Sequence, residues 1–171
     1  MNLLDHIRSV PDFPKPGIHF RDLTPLFGHP EALREAVERL AAPWRGAGVT
    51  KVVGVEARGF IVGAPVAIRL GAGFVPVRKP GKLPWTKAAQ SYALEYGTGS
   101  LEMHVDAVGP TDRVLVVDDL LATGGTAAAT VALVSRAKAT VVGAAFLVEL
   151  LALSGRKRLK GLRVESVLQL P

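Results

Sequence analysis

The sequence predicts an α/β fold in which a central, mostly parallel sheet is flanked by helices. Several short runs are mostly apolar and do not alternate with polar residues, and helix-like stretches and Gly- or Pro-containing turns separate them. Strands without polar alternation are typical of parallel sheets that are covered on both faces. The apolar runs are residues 51–55, 73–77, 114–117 and 140–148, and the helix-like stretches are residues 59–70 and 127–137. Because ligands of such sheets bind beyond the carboxyl ends of the strands, we expect the chemistry in the turns after Val55, Val77 and Val117.

The N-terminal part of the chain is less regular. Residues 11–24 contain three prolines, which exclude a long helix there. Pro30 suits the first turn of a helix that we expect to run to about Ala42, because Leu33 and Val37 recur on one face at helical spacing.

The length and composition exclude several classes of protein. The length of 171 residues favours one domain spanning residues 1–171, and 49% apolar residues provide a core and exclude a disordered chain. The absence of Cys excludes a disulfide framework and a cysteine nucleophile. No run is long or apolar enough for a membrane span or a signal peptide, so we expect a soluble, cytoplasmic protein with no membrane partner. The net charge of +6 suits a nucleic acid or a small anionic substrate equally well.

The most informative segment covers residues 114–126, with the sequence V-L-V-V-D-D-L-L-A-T-G-G-T. A predicted strand leads directly into two neighbouring carboxylates, Asp118 and Asp119, which can accept hydrogen bonds from a sugar diol. Small residues and the free N–H groups of a starting helix then form a cradle for a phosphate. The residues of this cradle are Ala122, Thr123, Gly124, Gly125 and Thr126. The combination predicts a site for a sugar 5-phosphate.

Other phosphate-binding loops do not fit the sequence. Gly81 and Lys82 are followed by Leu83 rather than by Ser or Thr, so no ATP-binding P-loop is present. A dinucleotide-binding G-x-G-x-x-G pattern is also absent, since the pair Gly71 and Gly73 lacks the third glycine.

Together with five other segments, the 114–126 motif resembles the type I phosphoribosyltransferases, in particular members that act on adenine. The other segments are residues 13–22 (F-P-K-P-G-I-H-F-R-D), 54–60 (G-V-E-A-R-G-F), 78–84 (R-K-P-G-K-L-P), 92–97 (Y-A-L-E-Y-G) and 148–150 (V-E-L). The resemblance implies the type I phosphoribosyltransferase fold, with a small N-terminal hood and a flexible loop. It also implies a purine salvage reaction in which adenine and 5-phosphoribosyl-1-diphosphate (PRPP) give AMP and pyrophosphate.

The resemblance also implies a role for each matching residue. Asp118 and Asp119 would hold the ribose hydroxyls, and the 122–126 loop would hold the 5-phosphate. Residues 56–58, where the family often has a non-proline cis peptide bond, would form the pyrophosphate loop. The remaining implied site residues are Arg58, Lys79 and Lys82 for the pyrophosphate, Glu95 as a further catalytic group, and Phe20, Arg21 and Leu150 for the base. Mg²⁺ would be bound through PRPP and water rather than by a protein metal site, and the family implies a homodimer.

Two alternative functions remain open at this level. A phosphoribosyltransferase for another purine, such as xanthine or hypoxanthine, would share every phosphate and ribose contact, because the base is recognised elsewhere. A PRPP-sensing regulator that binds nucleic acid is the second alternative. Such a regulator would need a DNA-binding module, for which 171 residues leave no room, so we expect no nucleic-acid partner.

Overall fold

The computed structural model describes residues 1–93 and 97–171. The helices are α1 (Thr24–Phe27), α2 (Pro30–Ala41), α3 (Arg58–Leu70) and α4 (Gly125–Arg136). The strands are β1 (Arg8–Val10), β2 (Phe20–Asp22), β3 (Lys51–Val55), β4 (Gly73–Val77), β5 (Lys87–Ala93), β6 (Thr98–His104), β7 (Arg113–Leu121), β8 (Thr140–Leu150) and β9 (Val164–Leu170). Short 3-10 helices span Leu3–His6, Ala42–Trp44, Leu151–Leu153 and Gly155–Leu159.

A parallel sheet forms the centre of the molecule, with the strand order β4-β3-β7-β8-β9. From β3 the chain passes through α3 to β4 on one side, and later returns to β7 on the other side of β3. The connection that leaves the carboxyl end of β3 therefore leads toward one edge of the sheet, and the connection that leaves β7 leads toward the other edge. Parallel sheets bind their ligands at such a switch point, so the topology places a crevice between these two strands.

Helices cover both faces of this sheet, as the predicted fold class requires. Leu115 and Val117 of β7 pack with α2 and α3 in one buried cluster, whereas Val114 and Val116 face α4 in the clusters on the other side. This alternation is that of a strand buried on both faces. The α/β prediction is confirmed.

The segment that follows α2 packs closely against β8 of the central sheet. Trp44, which is buried, lies against Gly143 of β8, where any side chain would overlap its ring. The Arg163 guanidinium covers the same ring at 4.5 Å from its centroid. Gly143 therefore accommodates the tryptophan by having no Cβ.

The predicted bounds are correct for β3 and β4, but β7 is longer than predicted. Residues 114–117 are the predicted strand, whereas β7 continues to Leu121 because its pairing with β8 extends to the rung that joins Leu121 and Glu149. Asp118 and Asp119 thus lie on the strand and not in the turn that follows it.

Strands outside the central sheet were not predicted. β1 pairs with β2, and β5 pairs with β6, each as a small antiparallel unit. The flexible loop that the resemblance implies runs from Arg78 to Ser91, and β5 begins within it at Lys87. These segments are short or mixed in polarity, so their pairing depends on a partner strand rather than on local sequence.

No helix within residues 1–93 or 97–171 combines the length and the apolar content that a membrane crossing requires.

Candidate active site

A cleft of about 220 Å³ opens at the switch point between β3 and β7. Residues 56–58, which follow β3, line one side, and residues 118–127, from the end of β7 to the start of α4, line the other. The structure thus brings together Arg58, both aspartates and the whole 122–126 loop, as the sequence predicts. The peptide bond between Glu56 and Ala57 in this lining is cis.

The 122–126 loop presents backbone donors to the cleft. Gly124 is the N-cap of α4 and has a φ of 81°, a left-handed conformation that favours glycine. No side chain of the described residues caps this helix end. The first N–H groups of a helix have no partners within the helix, so those of Gly125, Thr126 and Ala127 are available to an anion.

A residue that sequence reasoning missed supports this loop from behind. Gly155, at the start of the Gly155–Leu159 turn, packs so closely that a Cβ atom there would overlap the carbonyl oxygen of Ala122 and lie 3.1 Å from the nitrogen of Gly124. A Cβ on Gly124 would in turn overlap the Gly155 carbonyl. Both glycines are needed for this contact between backbones. The only sequence signal is the glycine itself, because the two segments are about thirty residues apart.

Asp118 and Asp119 make different contacts within the cleft. The Oδ1 atom of Asp118 accepts a hydrogen bond from the backbone N–H of Asp119 at 2.9 Å. The same atom lies over the start of α3, where a Cβ on Gly59 would approach it to 2.7 Å. Asp119 is 4% exposed, and its Oδ2 lies 2.8 Å from Nε of Arg58. That ion pair does not have hydrogen-bond geometry, and Oδ2 accepts no hydrogen bond from the described residues.

Burial raises the pKa of both carboxyl groups. Asp118 has a pKa well above its ordinary 3.8, first because it is removed from water and second because the Asp119 charge is adjacent. The pKa of Asp119 is also raised by burial, although the Arg58 guanidinium opposes this shift. Two neighbouring acids with raised pKa values in a cleft are typical of a functional site.

We expect Asp118→Asn to increase the stability of the fold at neutral pH. Native Asp118 binds its proton more tightly than the unfolded chain does, so its ionisation opposes folding. That cost is absent below the unfolded pKa near 3.8 and grows as the pH rises through the native pKa. Asn carries no charge and can still accept the Asp119 N–H. Thermal unfolding at pH 7.5 should show a Tm a few degrees above that of the wild type, and the difference should shrink toward pH 4. A lower Tm for the variant at pH 7.5 would contradict this account.

Arg58 connects the acids with the predicted base site. Its guanidinium lies 5.5 Å from the centroid of the Phe20 ring, in addition to its ion pair with Asp119. Phe20 also packs edge-on against Phe13. Arg21, the next predicted base-site residue, donates from Nη1 to the Ser9 hydroxyl at 3.1 Å. The N-terminal strands therefore bring Phe20 next to Arg58, which lines the cleft.

The predicted pyrophosphate lysines, Lys79 and Lys82, are exposed and do not line the cleft. Their segment is nevertheless attached to it, because Glu56 of the cleft accepts the backbone N–H of Lys79 and Nε of Arg78, both at 3.1 Å. Glu95 lies outside the described residues.

Leu150, the remaining base-site residue, ends β8 and is half-buried. The residue before it, Glu149, is 2% exposed and forms an ion pair with Arg156. Arg156 belongs to residues 155–163, whose five basic side chains predict a solvated turn from sequence alone. That prediction is wrong for Arg156, because its guanidinium is paired and partly buried.

Comparison with known proteins identifies the family. Residues 29–167 match the phosphoribosyl transferase domain. The chain is 61% identical over 164 residues to the adenine phosphoribosyltransferase of Erwinia tasmaniensis, a match that covers 96% of this chain and 90% of that protein.

Solved structures give the same result. The adenine phosphoribosyltransferase of Rhodothermus marinus superposes with a TM-score of 0.93 at 60% identity, covering 98% of this chain and 96% of that one. The Saccharomyces cerevisiae enzyme, crystallised with an imino-altritol bisphosphate and adenine, gives a TM-score of 0.88 at 36% identity, covering 96% and 94%. The chain therefore belongs to the type I phosphoribosyltransferase family, together with the adenine phosphoribosyltransferases of these organisms.

Proposed function

We propose that the protein transfers the 5-phosphoribosyl group of PRPP to adenine and releases AMP and pyrophosphate, a step of purine salvage. The observation that carries this proposal is a cleft in which two carboxylates adjoin the unpaired N–H groups of a helix start. These groups match the diol and the 5-phosphate of one sugar. The adenine phosphoribosyltransferases that resemble the chain over nearly its whole length support adenine as the base.

The chain's own residues would act mainly by alignment and electrostatics. The 122–126 loop anchors the 5-phosphate, while Asp118 and Asp119 hold the ribose hydroxyls. As the bond between C1 and the diphosphate oxygen loosens, positive charge develops on the ribose, and these carboxylates stabilise it. Nitrogen N9 of adenine then forms the new bond at C1.

The leaving group would be received by cations around the cleft. Arg58 would exchange its contact with Asp119 for the diphosphate, and its ion pair at the edge of the cleft supports this role. Lys79 and Lys82 would contribute when their segment folds over the bound substrate, a closure that also excludes water. We propose that Glu95 takes part in transferring the proton of the base.

Magnesium fits this site as a partner of PRPP. Among residues 1–93 and 97–171, no group of three or more acidic or His side chains is placed to hold a metal. We therefore propose that the ion would be held by diphosphate oxygens and water rather than by a protein metal site. Bound in this way, magnesium neutralises charge on the diphosphate.

The base would lie between Phe20 and Leu150, with the backbone near Arg21 available to its polar edge. The Phe20 ring offers one face for stacking, and the half-buried Leu150 side chain offers an apolar surface opposite. Backbone carbonyls can accept hydrogen bonds from the exocyclic amine of adenine.

We further propose a homodimer of single-domain chains, each formed by residues 1–171, in the cytoplasm. The outer face of α3 supports the dimer, because it exposes Ile61 and leaves Ile68 79% exposed. Apolar side chains grouped on one helix face are typical of an interaction surface.

The test is an assay with each purine base separately. The protein is incubated with PRPP, Mg²⁺ and adenine, hypoxanthine, guanine or xanthine, and the nucleotide products are separated by chromatography. AMP should form with adenine, together with an equal amount of pyrophosphate. Ribose 5-phosphate in place of PRPP is the control, because it lacks the leaving group and should give no nucleotide. Product formation with xanthine or hypoxanthine alone would reassign the base, and the absence of any product would refute the transfer reaction.

A further inference from the structure

We propose that the ion pair between Glu149 and Arg156 positions the 122–126 loop for the 5-phosphate of PRPP. Neither residue lines the cleft, so both would act through the backbone that they hold. This inference rests on the proposed function, since it assigns phosphate binding to that loop.

The pair is a two-pronged contact between a buried carboxylate and a guanidinium side chain that is 41% exposed. Nε of Arg156 donates to Oε1 of Glu149 at 2.7 Å, and Nη2 donates to Oε2 at 2.8 Å. Nε2 of Gln169 also lies 3.3 Å from Oε2. Burial alone would raise the pKa of Glu149, but the hydrogen bonds and charge of Arg156 outweigh it, so the pKa is lowered. The carboxylate is therefore charged at neutral pH, and the planar guanidinium fixes the direction of the contact.

Arg156 is also attached to the edge of the sheet. Its Nη1 donates to the carbonyl of Val164 at 2.7 Å, and Nη2 lies 3.3 Å from the hydroxyl of Ser166. These groups belong to β9, whereas Glu149 belongs to β8. One guanidinium thus ties the Gly155–Leu159 turn to two paired strands.

The Gly155–Leu159 turn connects Arg156 with the 122–126 loop, because its first residue packs directly against that loop. Gly155 precedes Arg156 in the chain, and its Cα packs against Ala122 and Gly124 with no room for a methyl group. A displacement of Arg156 moves Gly155, and closely packed backbone cannot absorb the movement without a shift of the loop. Leu150 is held separately, by its pairing with Leu170 of β9. We therefore expect a change at the pair to affect PRPP more than adenine.

The first test is Arg156→Lys, which keeps the positive charge but loses the fork. The KM for PRPP should rise about tenfold, with kcat and the KM for adenine changing by less than about threefold, because a contact made equally in the ground and transition states is weakened. The Kd for ribose 5-phosphate, measured by calorimetry, should rise by the same factor as the PRPP KM. The matched control is Arg39→Lys. Arg39 pairs with Glu35 at the same 2.7 Å, but on the exposed surface of α2, and all four constants should stay at the wild-type values.

A second variant, Glu149→Gln, removes the carboxylate charge and is expected to lower the Tm as well. Ribose 5-phosphate titrated into its folded fraction should again bind about tenfold more weakly. If the Tm falls in both variants while the PRPP KM and the ribose 5-phosphate Kd are unchanged, the pair is only structural and the inference is overturned. Equal increases in the adenine and PRPP KM values would also overturn it. A wild-type protein that neither binds ribose 5-phosphate nor forms AMP would refute the proposed function itself.

Discussion

Asp119→Asn should lower kcat/KM for PRPP by about 100- to 1000-fold while the fold remains intact. Asn has nearly the same shape, but it accepts weaker hydrogen bonds from the ribose hydroxyls than a carboxylate does. It also carries no charge to balance the positive charge that develops at C1, and the loss of one such stabilising group has an effect of this size. Steady-state kinetics with varied PRPP at saturating adenine would measure the effect.

The matched control for this variant is Asp106→Asn. Asp106 is exposed and lies outside the cleft, so the same chemical change should leave kcat/KM unaltered. Circular dichroism and the Tm of the Asp119 variant would verify that it is folded. An unchanged kcat/KM for PRPP in folded Asp119→Asn would remove this residue from the mechanism.

Gly143→Ala should destabilise the protein by about 3 kcal/mol, which corresponds to a decrease in Tm of about 6–12 °C for a chain of this size. The new methyl group would overlap the buried ring of Trp44 and lie 2.7 Å from the carbonyl oxygen of Arg163. That carbonyl accepts the backbone N–H of Ala144 at 2.9 Å, so the neighbouring strand cannot withdraw without breaking the sheet. Calorimetry or urea unfolding would measure the loss.

Gly109→Ala is the control for backbone entropy. A Cβ at Gly109 meets no atom within 4 Å, so Ala there should be neutral or slightly stabilising. A second check combines Gly143→Ala with Trp44→Leu, whose smaller side chain leaves space for the methyl group. The two changes should cost less together than the sum of their separate effects. Additive effects would show that the overlap with Trp44 is not the cause.

The fold could be predicted where local sequence alone decides the structure. The strands at 51–55 and 73–77 are mostly apolar runs that begin at Lys51 and Gly73 and stop before a charged residue, and their observed ends match the prediction. β9 was missed because V-E-S-V-L-Q-L is mixed in polarity, and it is a strand only because β8 pairs with it. The end of β7 was misplaced for the same reason, since pairing with β8 continues beyond Val117.

In the candidate site too, the residues that could be predicted are those that lie together in the sequence. The acids and the phosphate loop were predictable because they are contiguous in sequence, so one motif contains both. Gly155 and the Glu149–Arg156 pair were not, because they act through contacts between segments that no local pattern connects. The roles of Lys79 and Lys82 stay predictions, since their side chains lie outside the cleft lining.

The extension of β7 through both aspartates has a consequence for how this cleft can diversify. Because Asp118 and Asp119 are carried by a paired strand, their spacing is set by the backbone repeat of the sheet and not by the length of the connection that follows. Insertions or deletions after Leu121 would alter the loop proposed to bind phosphate without moving the acids proposed to bind the sugar. The proposed ribose half of the site is thus part of the sheet, whereas the proposed phosphate half lies in a connection, where proteins tolerate changes of length and sequence more readily.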